Sequence, residues 1–355
     1  YSEQSSLLFL CRMKGLFSMK IAVDVMGTDY GPEEIILGAI QAVKQYSCDV
    51  YLVGDRTQIE TVLKKYKEDN NERIKIEHAS EVIEMSDHPG LSVKAKPDAS
   101  IVVATRLLHT HVCDALVSAG STGAAVAAAL FGLGRIKGIE RPAIATPIPS
   151  ITGTTVVLDS GAKVDAKPQH LVQNAIMGSI YAESILKIKN PRVGLLNIGE
   201  EDTKGNEQAL ATYPLLKNEE HINFIGNVEG RDINKGTVDV VVCDGFVGNV
   251  VLKVAEGLAT AIMTIMKRTI MESGIMAKFG AMLIKPALRK MKKTIDPAEY
   301  GGALLLGVKA PFIICHGSSK AKAIKNAVGV AIDFAEKDVV RHIGESIINK
   351  RKGNE

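Results

Sequence analysis

The chain has 355 residues, enough for one large domain or two ordinary ones at roughly 150 residues each. With 46% hydrophobic and 23% charged residues it falls outside the disordered and fibrous classes, and a net charge of +3 is too small to imply nucleic acid, so any electrostatic partner must be met by a local patch. Its five cysteines (Cys11, Cys48, Cys113, Cys243, Cys315) are odd in number and form no CxxC pair, which points away from a disulfide framework or a zinc site and toward a reducing, cytoplasmic setting.

In chain order, residues 1–18 stand apart. The run SLLFLC is shorter than a secretory apolar segment, and Arg12 and Lys14 follow it instead of preceding it. We read residues 1–18 as a leader or remnant, with Met13 and Met19 both available as starts. No stretch approaches the ~20 uncharged apolar residues of a membrane span. From Met19 onward, KIAVDVM, VYLVGD, RIKIEHA, ALVSAG, TTVVLDSG, RVGLLNIGE, INFIGNVE and VDVVVCDG read as strands. Between them, segments such as PEEIILGAIQAVKQY and PQHLVQNAIMGSIYAESIL carry the i, i+3, i+4 apolar spacing of helices. Continuous apolar runs suit strands covered on both faces, so the βα order predicts an α/β fold with a mostly parallel sheet and helices on both sides. The strand tips are then expected to converge on one edge, where such folds bind ligands.

Those tips share a chemistry. DVMGTDYGP, SAGSTGA, DSGAKVDAKP, NIGEEDTKGNE, GNVEGRD and CDGFVGNVVLK each set Gly beside small polar or charged residues, and a helix start after such a turn offers free N–H groups to an anion. A GxxxxGK[ST] loop, a GxSxG elbow, HExxH and CxxC are all missing. The polar residues that remain are suited to holding an anion and polarising a carbonyl, with no metal or cofactor implied.

Taken in order, MKIAVDVMG, SAGSTGA, GRIKGIERPA, DSGAKVDAKPQHL, NIGEEDTKGNE, FIGNVEGRD, DGFVGNVVLK and YGGALLLGVKAPFIICHGSS resemble the bacterial phosphate acyltransferase family of phospholipid synthesis, PlsX. The resemblance runs from about Met19 to the C-terminus. It implies a three-layer α/β/α fold related to isopropylmalate dehydrogenase and phosphotransacetylase, two-lobed over residues 19–355. It also implies transfer of a long-chain acyl group from acyl carrier protein to inorganic phosphate, a homodimer and peripheral association with the inner face of the cell membrane. Two segments depart from the family pattern. MGTDYGP stands where MGGDHAP or similar is expected, and SVKAKPDASI (92–101) replaces a more basic, serine-rich stretch.

For that chemistry phosphate is already anionic and a thiolate leaves readily, so positioning and oxyanion stabilisation are the tasks left. Lys204, on the TKGN turn, is the first candidate for contacting phosphate or polarising the carbonyl; Asn249, at an expected helix start, is a donor to the oxyanion; His316, in CHGSS, is a proton donor or acceptor. Phosphate handling is assigned to Asp24, Gly27, Ser121, Thr122, Gly123, Gly161, Lys163, Asp165, Lys167, Asn206 and Gly248, with Asp202 and Glu207 as supports for Lys204.

From Gly257 to Ile295 the chain carries Lys267, Arg268, Lys278, Lys285, Arg289, Lys290, Lys292 and Lys293 against a single acid, Glu272, interleaved with Met, Ile and Leu. This reads as a basic, amphipathic helical hairpin broken near Ser273 and Gly274, suited to an anionic membrane at about 1 kcal/mol per basic residue, to the acidic carrier protein, or to dimer packing. The alternatives are phosphotransacetylase-like chemistry on a coenzyme A thioester and a non-catalytic scaffold for carrier protein and membrane. A decarboxylating dehydrogenase finds no nucleotide fingerprint.

Overall fold

A computed structural model describes residues 18–353; the leader assigned to residues 1–18 lies outside them save for Ser18. The elements follow the apolar runs. They begin β1 (Met19–Asp24), α1 (Pro32–Gln45), β2 (Cys48–Gly54), α2 (Arg56–Lys65), β3 (Ile74–His78), α3 (Pro89–Ala95), α4 (Ser100–His109), β4 (Ala115–Ser118) and α5 (Thr122–Ala128). Next come β5 (Ala143–Ser150), β6 (Gly153–Leu158), α6 (Pro168–Ser184), β7 (Arg192–Asn197), α7 (Glu207–Lys217), β8 (Asn223–Glu229), α8 (Gly230–Lys235) and β9 (Val240–Val242). The chain ends with α9 (Gly245–Glu272), α10 (Ile275–Leu283), α11 (Lys285–Ile295), β10 (Ala303–Leu306), β11 (Phe312–Ile314), α12 (Ala321–Glu336) and α13 (Val339–Gly353).

Local chemistry explains where these elements start and what they bury. In α1, Pro32 occupies the first turn with Glu33 and Glu34 beside it, where the helix dipole favours acids. Its Ile36, Ile40 and Val43 form a buried stripe. Along β1, Ile21 and Val23 enter one core while Ala22 enters another, the alternation of a strand covered on both faces. The first core packs α1, α6, α12 and α13 on one side of the sheet, and the second packs α4 and α5 on the other, which makes the three-layer α/β/α sandwich.

The strands form one sheet in the order β3-β2-β1-β4-β11-β10-β5-β6-β9-β7-β8. All eight strands read from the sequence are present; β5, β10 and β11 were not foreseen. β5 carries Pro147 and Pro149, which argue against a central strand. Yet its pairing with β10 stops at Ala145, so both prolines sit where β5 has a neighbour on one side alone, in β6.

These unforeseen strands correct the expectation of a single ligand edge. β10 is antiparallel to β11 and to β5, and β5 is antiparallel to β6. The parallel block β3-β2-β1-β4-β11 therefore runs opposite to the parallel block β6-β9-β7-β8. The tips of β1 and β4 share one edge of the sheet, and those of β6, β9, β7 and β8 share the other.

The expected hairpin is longer and more divided than read. α9 begins at Gly245, not Gly257, and Ser273 and Gly274 do end it and start α10, but a further break at Ile284 makes three helices in place of two. Among the described residues α9 is the one helix long and apolar enough, by length and composition, to cross a membrane, a stretch the sequence reading passed over. Little of the fold covers it. Val250, Val254, Leu258 and Ile262 are exposed along α9, and Ile275 and Met276 at the start of α10 are 85% and 83% exposed.

Candidate active site

The edge formed by β6, β9 and β7 gathers most of the residues singled out in the sequence. β9 lies between β6 and β7, so the turn after β6 and the turn after β7 flank the start of α9. Asp244 caps that helix by accepting from Val247 N–H at 2.9 Å, so Asn249 is not its cap and keeps its carboxamide free for other work. The junction is closed by backbone. Gly245 N–H donates to Lys163 O at 2.9 Å, and a Cβ on Gly248 would lie 1.9 Å from Asp159 O. Exposed Asn249 stands against Gly161, whose φ of +141° favours glycine.

The turn after β6 is ordered from within. Buried Asp159 accepts from Ile144, Gly161 and Ala162 N–H on Oδ1 (2.9, 3.1 and 2.9 Å) and from Lys163 N–H on Oδ2 (2.7 Å). Burial pushes its carboxyl up, and these four donors oppose the rise. The backbone N–H groups of this turn are thus already engaged, so what it offers an anion is side chains. Lys163 is half-buried, and Lys167 and Asp165 are exposed.

The turn after β7 carries Lys204, exposed; among the described residues it is in no ion pair, and neither Asp202 nor Glu207 pairs with it. Sequence reasoning missed what holds this turn. Asn197 donates to Lys204 O at 2.9 Å, and Asn227 donates to Glu201 O at 2.8 Å. Both asparagines end apolar runs, in LLNIGE and FIGNVE, which was the signal available. Asn206 spends its carboxamide oxygen as the cap of α7, accepting from Ala209 N–H at 2.8 Å. Gln208 then bonds Ala166 O, which ties the two turns together.

The remaining candidates lie on the other edge. Asp24 is 2% exposed, accepts from Ser118 Oγ at 2.8 Å and from Met26 N–H at 3.3 Å, and lines with Ser100, Ser118 and Ser121 a cavity of ≈10 Å³, room for about one water. Burial pushes its carboxyl up to about 6, against the opposing hydrogen bonds of Ser100, Ser118 and Met26. It braces β1 against β4, with Gly27 at φ +70° turning the chain just beyond it. Ser121 caps α5 through Ala124 N–H, exposed Thr122 follows it, and a Cβ on Gly123 would press on Pro89 at 2.6 Å.

His316 connects the two edges. Ser318 Oγ at 2.7 Å and Ser318 N–H at 3.2 Å both meet its Nδ1, and with Nδ1 accepting from them the ring proton of the neutral imidazole sits on Nε2. The ring faces α9 across a cavity that Lys253 also lines, and Lys253 follows Asn249 by one helical turn on the same face. Arg268 lines the same cavity; Lys267, Lys278, Lys285, Arg289, Lys290 and Lys293 lie elsewhere on α9 to α11, and the side chain of Lys292 is outside the described ones.

The arrangement favours anion and carbonyl chemistry. Four cysteines, Cys48, Cys113, Cys243 and Cys315, are buried, and burial pushes their thiols up, to about 11 for Cys48 and about 12 for Cys113 and Cys315. Glu200, Glu229 and Asp232 come close enough together to hold a cation, but Arg231 already pairs with Glu229 and Lys235 with Asp232.

Comparison with known proteins places the chain in a family. Residues 19–342 match the family described as "Fatty acid synthesis protein". A phosphate acyltransferase from Pelotomaculum thermopropionicum is 55% identical over 329 residues, 93% of this chain and 95% of that one. Another from Aquifex aeolicus is 52% identical over 320 residues, 90% of this chain and 94% of that one. Among solved structures, a phosphotransacetylase from Streptococcus pyogenes shares the fold with a TM-score of 0.61 at 17% identity, covering 94% of this chain and 99% of that one. The chain belongs to the phosphate acyltransferase family of fatty acid synthesis proteins.

Proposed function

We propose that the protein transfers a long-chain acyl group from its thioester on acyl carrier protein to inorganic phosphate. An oxygen of hydrogen phosphate attacks the thioester carbonyl, the C–S bond breaks, and the proton of the phosphate goes to the leaving thiolate. The products are acyl phosphate and free carrier thiol. The observation that carries this reading is the junction where Asn249, Gly161 and Lys163 meet between two cation-bearing turns, with no reactive thiol nearby. In it Lys204 holds phosphate, the Asn249 carboxamide donates to the developing oxyanion, and Nε2–H of His316 donates to phosphate or to the departing sulfur.

The same reading places the protein at the inner face of the cytoplasmic membrane as a homodimer. The exposed aliphatic stripe of α9 suits a second copy, and the exposed apolar tip on α10 beside the basic α11 suits anionic lipid. An enzyme acting on short coenzyme A thioesters has no need of that tip.

The test is phosphate-dependent release of free thiol from long-chain acyl carrier protein. We expect the native chain to release thiol and Lys204→Ala to lose on the order of a hundredfold or more in rate while remaining folded, the scale of a lost oxyanion or phosphate contact. Release that persists in Lys204→Ala would remove Lys204 from the site, and reaction with coenzyme A thioesters alone would favour the phosphotransacetylase-like alternative. Flotation with anionic and neutral vesicles checks the membrane assignment: equal partition into both would count against it.

A further inference from the structure

The cavity between α9 and the His316 turn is not accounted for by the chemistry above. It is an open groove of ≈700 Å³, within the range of about 300–1,000 Å³ typical of small-molecule sites, and most of the surface it exposes is apolar although Lys253, Glu256, Thr260, Thr264, Arg268 and His316 all contribute to it. Along α9 it is floored by Gly257, Thr260, Ala261 and Thr264, with Lys253 and His316 at one end and Arg268 at the other. Lys253 is half-engaged there, paired with Glu256 at 3.0 Å. As at Gly280 on α10, a Cβ placed on Gly257 would meet nothing within 4 Å. Glycine inside a helix costs about 1 kcal/mol relative to alanine, and no packing contact here requires it. What its absent side chain does is widen this cavity.

Building on the acyl-transfer reading, we propose that this groove holds the acyl chain of the substrate. The thioester lies at the Lys253 and His316 end, and the chain runs along Gly257, Ala261 and Ile265 toward Arg268. Charge complementarity sets the direction. The end that meets phosphate carries a lysine and a donor imidazole one helical turn beyond Asn249, and the far end opens toward apolar α10, where the aliphatic stem of Arg268 can lie along the chain. Gly257 to Arg268 spans ~16 Å at the helical rise. An extended chain advances about 1.3 Å per carbon for a ~1.5 Å bond, so about twelve carbons fit before the chain emerges near the apolar tip. The wider aliphatic stripe, Val250, Val254, Leu258 and Ile262, lies on the adjoining face of α9 and is left for a second copy.

The experiment compares Ala261→Phe and Gly257→Leu with the native chain. Both substituted positions are exposed on a helix, so the fold is retained. Phosphate-dependent thiol release is measured with carrier protein bearing a long or a very short acyl chain, with the oligomeric state followed by sedimentation. We expect kcat/KM for the long donor to fall at least about tenfold and for the short donor to change less than about threefold, because the obstruction removes space that only the long chain uses. Equal losses for both donors, no loss for either, or a shift in oligomeric state accompanied by loss for both would overturn the assignment, the last result giving the groove to a second copy. If the native chain turns over neither donor, the function reading fails. The groove is then judged by calorimetric binding of hexadecylphosphonate, which the native chain should take up and Ala261→Phe should not; equal binding by both would overturn the proposal.

Discussion

Asp24 provides a quantitative test of how the core is built. Its carboxyl is buried at the end of β1, and burial raises it from an ordinary 3.8 to about 6. A group whose native pKa is raised contributes stability that is fully present below its ordinary value and is lost as pH rises through the native one. At ~1.36 kcal/mol for each tenfold change in the ionisation constant, the loss is about 3 kcal/mol by neutral pH, nearly all of it between about pH 4 and pH 7. Asp24→Asn keeps the shape and cannot ionise. Its carboxamide N–H has to be received by Ser118 Oγ, which already accepts from Gly120 N–H at 3.3 Å, so a fixed offset is expected at every pH. Urea unfolding across this range should show the variant gaining about 2–3 kcal/mol on the native chain between pH 4 and pH 7. Asp159, also raised by burial, is present in both proteins and cancels in the difference. A difference that stays flat from pH 4 to pH 7 would refute the claim that a buried, ionisable Asp24 strains the native state.

Two further outcomes test the site and its frame. In Gly248→Ala the new Cβ would stand 1.9 Å from Asp159 O, with nothing flexible to yield, so α9 must lift from the turn after β6. We expect a loss of at least about 2 kcal/mol in urea unfolding together with loss of thiol release, and an unchanged midpoint would contradict the close approach. Arg192 pairs with Asp239 through Nε at 2.9 Å and Nη2 at 2.9 Å; burial pushes the Asp239 carboxyl up, but the Arg192 hydrogen bonds outweigh it and hold it below the ordinary range. Because Arg192 is 42% exposed and screened, Arg192→Ala should cost only about 1 kcal/mol at neutral pH, and the cost should shrink as acid protonates Asp239, leaving what the Arg192 bond to Gly236 O supplies; a cost unchanged in acid would rule out the pair as its source.

The parallel blocks were legible in the sequence because each strand is a run of β-branched residues bounded by Gly, Asp or Asn. The seam between the blocks was not. It is made by ALLL, FII and the proline-bearing AIATPIPS, short or disfavoured segments that become strands only because neighbours on both sides already exist to pair with them. Missing the seam led to the error about a single ligand edge, since the reversal of direction takes place there. At the site, Lys204 and Asn249 stood out as polar residues on glycine turns, whereas Asn197 acts through a hydrogen bond to Lys204 O and Asn227 through one to Glu201 O, 26 residues away, which no local pattern records. Composition also misjudged the backbone of the turn after β6. Its glycine and lysine suggested an anion cradle, but Asp159, at the head of the same turn, takes up those N–H groups itself.

On the proposed reading, the reversal lets a water-soluble anion and a lipophilic chain share one catalyst. With the strand tips divided between two edges, an element must cross from one to the other, and α9, ~42 Å long at the helical rise, does so. Its first turn is clamped by backbone contacts that leave no room for a side chain at Gly245 or Gly248, so Asn249 is held against the turn after β6, as the proposed oxyanion contact requires. Beyond Asn249 the helix packs on almost nothing, and a soluble protein would normally bury so apolar a surface. The contrast separates the tasks along one helix. The clamped end can be tuned for chemistry without disturbing what binds the free end, and the free end can engage lipid or a second copy without loosening the clamped turn. A substitution on the outer half of α9 should therefore act on chain length or assembly, and one on its first two turns should act on rate.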